Sequence, residues 1–139
     1  IQRLALDQKK ACEFTARLED YKNIFDNPSL SINAVIAEYQ ERAIGICLYF
    51  FSYSTWRGET GLYIQDLFVD EHYRRNNVAN KLISRVALDG SNMGAVFMRL
   101  AVSNSNNQAQ RFYSSIGLTE ASHETIYTAY DSAFQRMRD

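Results

Sequence analysis

Proline, glycine and runs of one charge are scarce in this chain of 139 residues, which contains one proline and six glycines. No low-complexity tract, internal repeat or linker divides it, so we expect a single domain spanning residues 1–139. The formal net charge is −1, without the basic patch of a nucleic-acid-binding protein or the basic amphipathic helix of a membrane-surface protein. No apolar stretch is long enough to cross a membrane, and we expect no signal peptide. We therefore expect neither a nucleic-acid partner nor a membrane partner.

Cysteine is also rare, and its placement argues against both a disulfide and a metal site. Cys12 and Cys47 lie in apolar surroundings without the spacing of metal ligands. This pattern favours two buried thiols in a reducing compartment. We take the cytoplasm as the expected location and predict no metal.

Strand-forming residues recur in short blocks rich in β-branched and aromatic side chains. The longest block, Ile-Gly-Ile-Cys-Leu-Tyr-Phe-Phe-Ser-Tyr, covers residues 44–53 and follows a polar turn. The predicted strands are residues 1–6, 32–39, 44–53, 61–69, 95–102 and 126–130.

Three other segments place apolar residues at helical spacing. The first follows Asp7, a suitable N-cap, the second covers residues 77–88 with Gly90 as its C-cap, and the third ends at Gly117. Their apolar positions are Ala11, Phe14 and Leu18, then Val78, Leu82 and Val86, then Ala109, Phe112, Tyr113 and Ile116. A strand meander followed by crossover helices predicts an α/β or α+β domain, with a mixed sheet and helices on its faces.

The junction between the strand ending at Val69 and the helix beginning near Asn77 is the most informative point for function. Unpaired N–H groups and the positive end of the dipole make a helix N-terminus suitable for a phosphate. Arg74 and Arg75 add two guanidinium groups, which bind phosphate well. Arginine pairs are also common in solvated turns, so this spacing alone leaves both interpretations open.

Three motifs surround this junction in a fixed order. Residues 63–69, Tyr-Ile-Gln-Asp-Leu-Phe-Val, are similar to the motif Tyr-[Leu/Ile]-Glu-Asp-[Leu/Phe]-[Phe/Tyr]-Val. Residues 74–79 are similar to Arg-x-x-Gly-x-Gly/Ala, and residues 106–117 to Asn-x-x-Ala-x-x-[Phe/Leu]-Tyr-x-x-x-Gly. Together they resemble a GNAT-superfamily N-acetyltransferase, nearest the diamine (spermidine/spermine) and thialysine acetyltransferase branch. The resemblance covers a little over half of the chain.

The resemblance implies the GNAT fold, a mixed central sheet of six or seven strands, splayed in the middle, with helices on both faces. Acetyl-CoA is the implied cosubstrate, and its pantetheine arm would follow the backbone of Leu67, Phe68 and Val69. Its pyrophosphate would be bound by Arg74, Arg75, Asn76, Asn77, Val78, Ala79 and Asn80. On the following helix, Asn106 and Ala109 would complete the cofactor site.

Acetyl transfer to an amine also needs a proton donor and a proton acceptor. Tyr113 matches the tyrosine of the family motif that would protonate the departing CoA thiolate. A phenol suits this role, because its pKa of ~10 lies above that of a thiol. Gln65 stands where this branch carries a glutamate thought to help deprotonate the amine, and an amide cannot accept that proton. Strand alternation places Tyr63, Gln65, Leu67 and Val69 on one face and Asp66 on the other, which directs Asp66 away from a direct role. Tyr113, Gln65 and Asp66 are the candidate catalytic residues.

The proton acceptor therefore stays open at this stage. A water chain, a carboxylate such as Glu38, or a substrate amine of low pKa would each serve, whereas His72 and His123 are expected at the surface. Asn77 is a second departure, because the family has glycine at this position. If the loop needs positive φ there, asparagine is the least costly replacement, at ~1 kcal/mol. If the phosphate needs the missing side-chain volume, cofactor binding weakens instead.

The sequence thus predicts acetyl transfer from acetyl-CoA to a primary amine, polyamine or lysine-like, by direct attack in a ternary complex. Acetylation of a protein lysine or N-terminus is a second enzymatic interpretation, because the motifs do not specify the acceptor. A non-catalytic acyl-CoA-binding module is the alternative from a different class, and Gln65 and Asn77 favour it. An unrelated α/β nucleotide binder is the third alternative. Members of this branch commonly pair, so a homodimer is expected.

Overall fold

The computed structural model describes residues 1–7 and 15–138, which divide into two compact units at Asn106. The first unit contains helices α1 (Gln2–Asp7), α2 (Leu18–Asp26) and α3 (Val78–Asn92) and strands β1 (Ile32–Tyr39), β2 (Arg42–Ser54), β3 (Glu59–Val69) and β4 (Ala95–Leu100). The second unit contains α4 (Asn107–Ser115) and α5 (Asp131–Arg136). Within the described ranges, no helix has the length and apolar character needed to span a membrane.

The sheet has the order β1-β2-β3-β4, with antiparallel pairing up to β3 and a parallel pair between β3 and β4. The mixed sheet predicted from the meander and the crossover helix is therefore confirmed, and its four strands lie where the sequence placed them. The prediction of six or seven strands is wrong for the described chain, which has four in the sheet.

Two segments predicted as strands have other conformations. The chain from Gln2 to Asp7 forms α1, because its glutamine, arginine, leucine and alanine residues are strong helix formers. Residues 126–130 form no ladder, and the Tyr127 side chain is 91% exposed. Strand propensity reports how well a side chain packs on a paired, half-buried surface, and it does not by itself supply a partner strand. The predicted first helix, with Cys12, falls mostly on residues 8–14, outside the described part, although α2 does begin at Leu18.

The buried core is formed by the two central strands and α3. Its buried apolar side chains are Ile44, Cys47, Leu48 and Tyr49 from β2, Leu62, Ile64 and Val69 from β3, and Leu82, Ile83 and Val86 from α3. The predicted buried face of this helix is confirmed at Leu82 and Val86. Cys47 is completely buried, as predicted, and burial raises the pKa of its thiol to about 12, with a smaller contribution from the charge of Asp66.

Glycines allow α3 to approach the sheet closely. A Cβ atom at Gly45 of β2 would lie 3.0 Å from the Phe68 carbonyl oxygen and 3.2 Å from Leu82 Cδ1. A Cβ atom at Gly90 would lie only 2.4 Å from Leu62 Cδ1. Gly90 is thus buried inside the helix, which continues to Asn92, and the prediction that it forms the C-cap is wrong. Its role is to make room for Leu62.

We predict that Gly90→Ala destabilises the protein in spite of the better helix propensity of alanine. Alanine gains about 1 kcal/mol in a helix interior, whereas overpacking a core typically costs about 1–3 kcal/mol. The net loss should be on the order of 1 kcal/mol in urea unfolding, and Ser84→Ala on the exposed side of the same helix should show no loss. Unchanged or increased stability of Gly90→Ala would mean that Leu62 moves aside without cost.

Candidate active site

The parallel pairing of β3 with β4 stops near the middle of β3, because β4 ends at Leu100. The β3–β4 ladder ends at the pair Ile64–Leu100, but β3 continues through residues 65–69. In the part of the chain that the structure describes, no other strand pairs with this side of β3 beyond Ile64. Leu67, Phe68 and Val69 lie on this stretch, so an extended ligand can pair with it as an added strand does. The splay between the two central parallel strands stays a prediction.

A β-bulge occurs at the same point. Leu48 and Tyr49 are consecutive on β2, but their partners on β3 are Asp66 and Ile64. Gln65 is therefore the extra residue of β3, and its side chain is exposed. Bulges bend a strand and redirect side chains, and they are frequent beside active sites.

The bulge changes which side chains share a face. Tyr63 pairs with Phe50 and Asp66 pairs with Leu48, and these two β2 residues point to the same side because they are two apart. Tyr63 and Asp66 therefore lie on one face, and Leu67, which pairs with Cys47, lies on the other. The predicted alternation is wrong here, because one inserted residue reverses the register that a regular strand would keep.

Asp66 is a half-buried carboxylate whose environment disfavours its charge. Desolvation is the main cause that raises its pKa above the ordinary value. Within the described chain, no hydrogen bond or ion pair engages its oxygens. Its charge also adds to the raised pKa of the Tyr21 phenol, for which burial is the larger cause, so this side chain of α2 lies within electrostatic reach.

The loop after β3 is held by several specific hydrogen bonds. The Asp70 amide donates to the Ile44 carbonyl at 2.9 Å, and a single 3-10 turn follows at Glu71–Tyr73. The Arg74 side chain is partly buried, and its Nε donates to the Val69 carbonyl at 2.9 Å. Arg74 thus helps to close the loop, while Arg75 is exposed.

Two residues of this loop adopt the left-handed conformation before α3 begins. Arg75 has φ 63° and Asn77 has φ 61°, so the position that the family fills with glycine does require positive φ. Asn77 is the N-cap residue, but its side chain makes no capping hydrogen bond, and the first turn of α3 has no acidic residue. The amides of this turn, in Val78, Ala79 and Asn80, are the donors that a helix leaves without intrahelical partners. The arrangement suits an anion.

The second unit carries the predicted tyrosine. Tyr113 lies in α4 with its ring centroid 5.2 Å from that of Phe112. The helix ends as predicted at Gly117, with φ 97° and the paired bonds Leu118 N–H to Tyr113 O, 3.0 Å, and Gly117 N–H to Ser114 O, 3.2 Å. A polar stripe of the same helix lines an open groove of about 570 Å³ that does not include Tyr113; its residues are Asn107, Gln110, Arg111, Ser114 and Ser115.

The remaining candidates lie in different places. The Asn106 amide donates to the Ser103 carbonyl at 2.8 Å immediately before α4, and Ala109 is half-buried within that helix. Glu38, His72 and His123 are all exposed, which confirms the prediction for the histidines. Sequence reasoning missed Asp70, which caps the 3-10 turn. An aspartate directly before a helical turn is a recognisable N-cap signal.

Comparison with known families identifies the class of protein. Residues 1–118 match the acetyltransferase (GNAT) family, and because this covers most of the chain, the chain belongs to that family. The resemblance noted in the sequence motifs is thereby confirmed.

Individual relatives are consistent with the branch that the motifs indicated. Thialysine N-epsilon-acetyltransferase from Bos taurus is 40% identical over 81 residues, which are 56% of this chain and 47% of the relative. This chain spans about half the length of the curated relatives it matches. An integron cassette protein from V. cholerae has the same fold, with a TM-score of 0.80 at 16% identity over 97% of this chain and 86% of that one. AAC(6')-Iy in complex with a CoA bisubstrate analogue has a TM-score of 0.69 at 23% identity, over 82% and 78% of the two chains.

We predict different effects on stability for two substitutions at Asn77. Alanine pays about 1–2 kcal/mol in the left-handed conformation, so Asn77→Ala should lower the free energy of unfolding by about 1 kcal/mol. Glycine relieves this strain but loses about 0.5–1 kcal/mol through the entropy of the unfolded chain, so Asn77→Gly should be nearly neutral. Chemical denaturation of both variants tests this. Equal stability of the alanine and glycine variants would show that the loop does not hold residue 77 at positive φ.

Proposed function

We propose that this protein is an acetyl-CoA-dependent N-acetyltransferase that acetylates a primary amine, polyamine or lysine-like, by direct attack in a ternary complex. The observation that carries the proposal is the edge of β3 that continues beyond the end of β4 and leads to the N-terminus of α3, which has no side-chain cap. An extended pantetheine arm would pair with the backbone of residues 67–69. The anionic pyrophosphate would then meet the first-turn amides of α3, where no acidic side chain competes.

The cofactor assignment is supported by chemistry at both ends of this path. Arg75 is exposed beside the amides and would contribute a cationic contact to phosphate, and Asn76 and Asn77 would supply polar loop atoms around it. In the family motif, Asn106 and Ala109 are the positions that accompany CoA on the following helix. We assign Tyr113, from the same motif, as the acid that protonates the CoA thiolate as the C–S bond breaks.

We predict that acetyl-CoA raises the melting temperature and that Tyr113→Phe abolishes most turnover without weakening cofactor binding. A ligand at 100 times its Kd stabilises the folded state by about 2.7 kcal/mol, and a general acid contributes roughly 10²–10⁴-fold to the rate. Thermal unfolding measures the stabilisation by acetyl-CoA, and release of the free CoA thiol over a panel of amines measures the turnover of Tyr113→Phe. Tyr127→Phe, at a highly exposed tyrosine, is the matched control.

Each outcome of that experiment has a definite meaning. No thermal shift with millimolar acetyl-CoA would remove the cofactor assignment, and binding of ATP in its place would favour the nucleotide-binder alternative. Binding without turnover of any amine would favour the non-catalytic acyl-CoA-binding module. Turnover of peptides alone would redirect the proposal to a protein lysine or N-terminal acetyltransferase. An unchanged rate in Tyr113→Phe would remove this residue from the mechanism.

We assign Asp66 as the proton acceptor that replaces the missing glutamate at position 65. An alkylammonium with a pKa near ~10.4 is only about a thousandth neutral at pH 7.4, so the reaction needs an acceptor near the amine. Asp66 is the adjacent carboxylate, none of the hydrogen bonds or ion pairs of the described chain engages it, and it is next to the bulge where the pairing of β3 with β4 ends. Gln65 would orient the amine or a water by hydrogen bonds.

We predict that Asp66→Asn lowers kcat/KM and removes an acidic limb from the pH profile. The ionised carboxylate is the active form, so activity should fall as the pH drops through the raised pKa of Asp66, above its ordinary value of 3.8. Gln65→Glu should restore part of the rate in the Asp66→Asn background, because it returns a carboxylate to the adjacent position. Glu38→Gln, an exposed carboxylate on β1, is the control. If Asp66→Asn retains the wild-type profile, the proton leaves by another route.

Pairing as a dimer and a cytoplasmic location remain expectations from the branch resemblance and the cysteine pattern.

A further inference from the structure

Asp70 links three parts of the chain at the start of the loop that leads to α3. Its Oδ1 accepts hydrogen bonds from the His72 backbone amide at 3.2 Å and from His72 Nδ1 at 3.0 Å. Its Oδ2 accepts a hydrogen bond from Arg3 Nη1 of α1, which also forms an ion pair with it. The Asp70 side chain is only 17% exposed, although both partner side chains lie mostly in solvent.

The ionised form of Asp70 is strongly favoured. Hydrogen bonds from the His72 ring and the His72 amide, together with those from Arg3, hold its pKa at about 2. Because an ionised carboxylate only accepts hydrogen bonds, Nδ1 of His72 carries the hydrogen. The carboxylate is therefore charged, and all three contacts are available, throughout the neutral range.

The backbone of Asp70 is fixed as well. Its amide donates to the Ile44 carbonyl, which extends the β2–β3 ladder by one bond, and its carbonyl accepts from the Tyr73 amide, both at 2.9 Å. The chain must pass from this residue to Asn77 through a 3-10 turn and two left-handed residues. Such conformations persist only where the surrounding contacts enforce them.

We propose that Asp70 is a positioning residue for the cofactor: by capping the 3-10 turn and binding Arg3, it fixes the loop that presents the α3 amides to the pyrophosphate. This inference rests on the proposed function. Loss of the carboxylate lowers the fraction of molecules with the binding-competent loop, and the apparent affinity falls by the same factor. The pantetheine path along β3 lies before Asp70 in the chain and is paired with β2, and the loop contacts its last residue through the bond from Arg74 Nε to the Val69 carbonyl.

The test compares two thioesters, acetyl-CoA and S-acetylpantetheine, which lacks the pyrophosphate and the nucleotide. Asp70→Ala should raise the KM for acetyl-CoA about tenfold, the scale expected for a lost hydrogen bond to a charged group. The rate at saturation, and kcat/KM for S-acetylpantetheine, should stay at the wild-type values. Asp89→Ala, the control, removes another ion pair, which Asp89 forms with Arg85 of α3 at 2.9 Å. It should change the kinetic constants for neither thioester.

Two further variants separate positioning from general stability. Arg3→Ala should raise the KM for acetyl-CoA in the same direction, and the double variant with Asp70→Ala should show less than the product of the two effects. If Asp70→Ala does not fold, Asp70→Asn, which keeps one acceptor oxygen, should show an intermediate rise. Equal losses on both thioesters, or no change on acetyl-CoA, would overturn the positioning role. Failure of the wild-type protein to bind acetyl-CoA would instead overturn the proposed function itself.

Discussion

The packing of α3 against β2 and β3 is the contact on which the candidate site depends. Leu82, Ile83 and Val86 are buried there, and each such side chain contributes about 1.5–3 kcal/mol. The loop from Asp70 to Asn77 spans the short gap between the last residues of β3 and the first turn of that helix, so the core fixes both of its ends. The packing of the core therefore offsets the left-handed residues in between, which cost about 1–2 kcal/mol each. The site takes its shape from the core.

The bulge at Gln65 has two structural consequences that belong together. It coincides with the last paired residues of β3 and β4, so the strand bends where it loses its neighbour. It also moves Asp66 to the face of Tyr63, opposite to Leu67. One inserted residue thus marks the point where β3 loses its parallel neighbour and also sets the face on which its carboxylate lies. Its backbone beyond the bulge is left to pair with an extended ligand, and a carboxylate points away from the side covered by α3.

Much of the first unit could be predicted from its sequence because its signals are local. The strand at residues 32–39 follows from propensity, and the motifs identify the family. The sequence left positive φ at Asn77 as one of two interpretations, and the structure decides between them. The strand alternation around Gln65 could not be predicted, because a bulge depends on how β2 and β3 register against each other. Residues 126–130 show the same limit, since their strand-forming side chains have no partner strand in the described chain. Gly90 fits a C-cap by sequence, but its contact with Leu62 depends on the tertiary packing of α3 against β3.

The environment of Asp66 bears on the charge of the acetyl acceptor that the proposed site would bind. A half-buried carboxylate loses hydration, and for Asp66 this desolvation outweighs the charge of the N-terminal amino group, which lowers the pKa, so the net effect is a raised pKa. A cationic amine placed beside it removes this penalty, whereas a neutral or anionic acceptor does not. The same contact lowers the pKa of the carboxyl group and raises that of the ammonium, which opposes proton transfer. Under the proposed function, a site of this kind would bind the charged amine, and the proton would then have to pass from the carboxyl group to solvent.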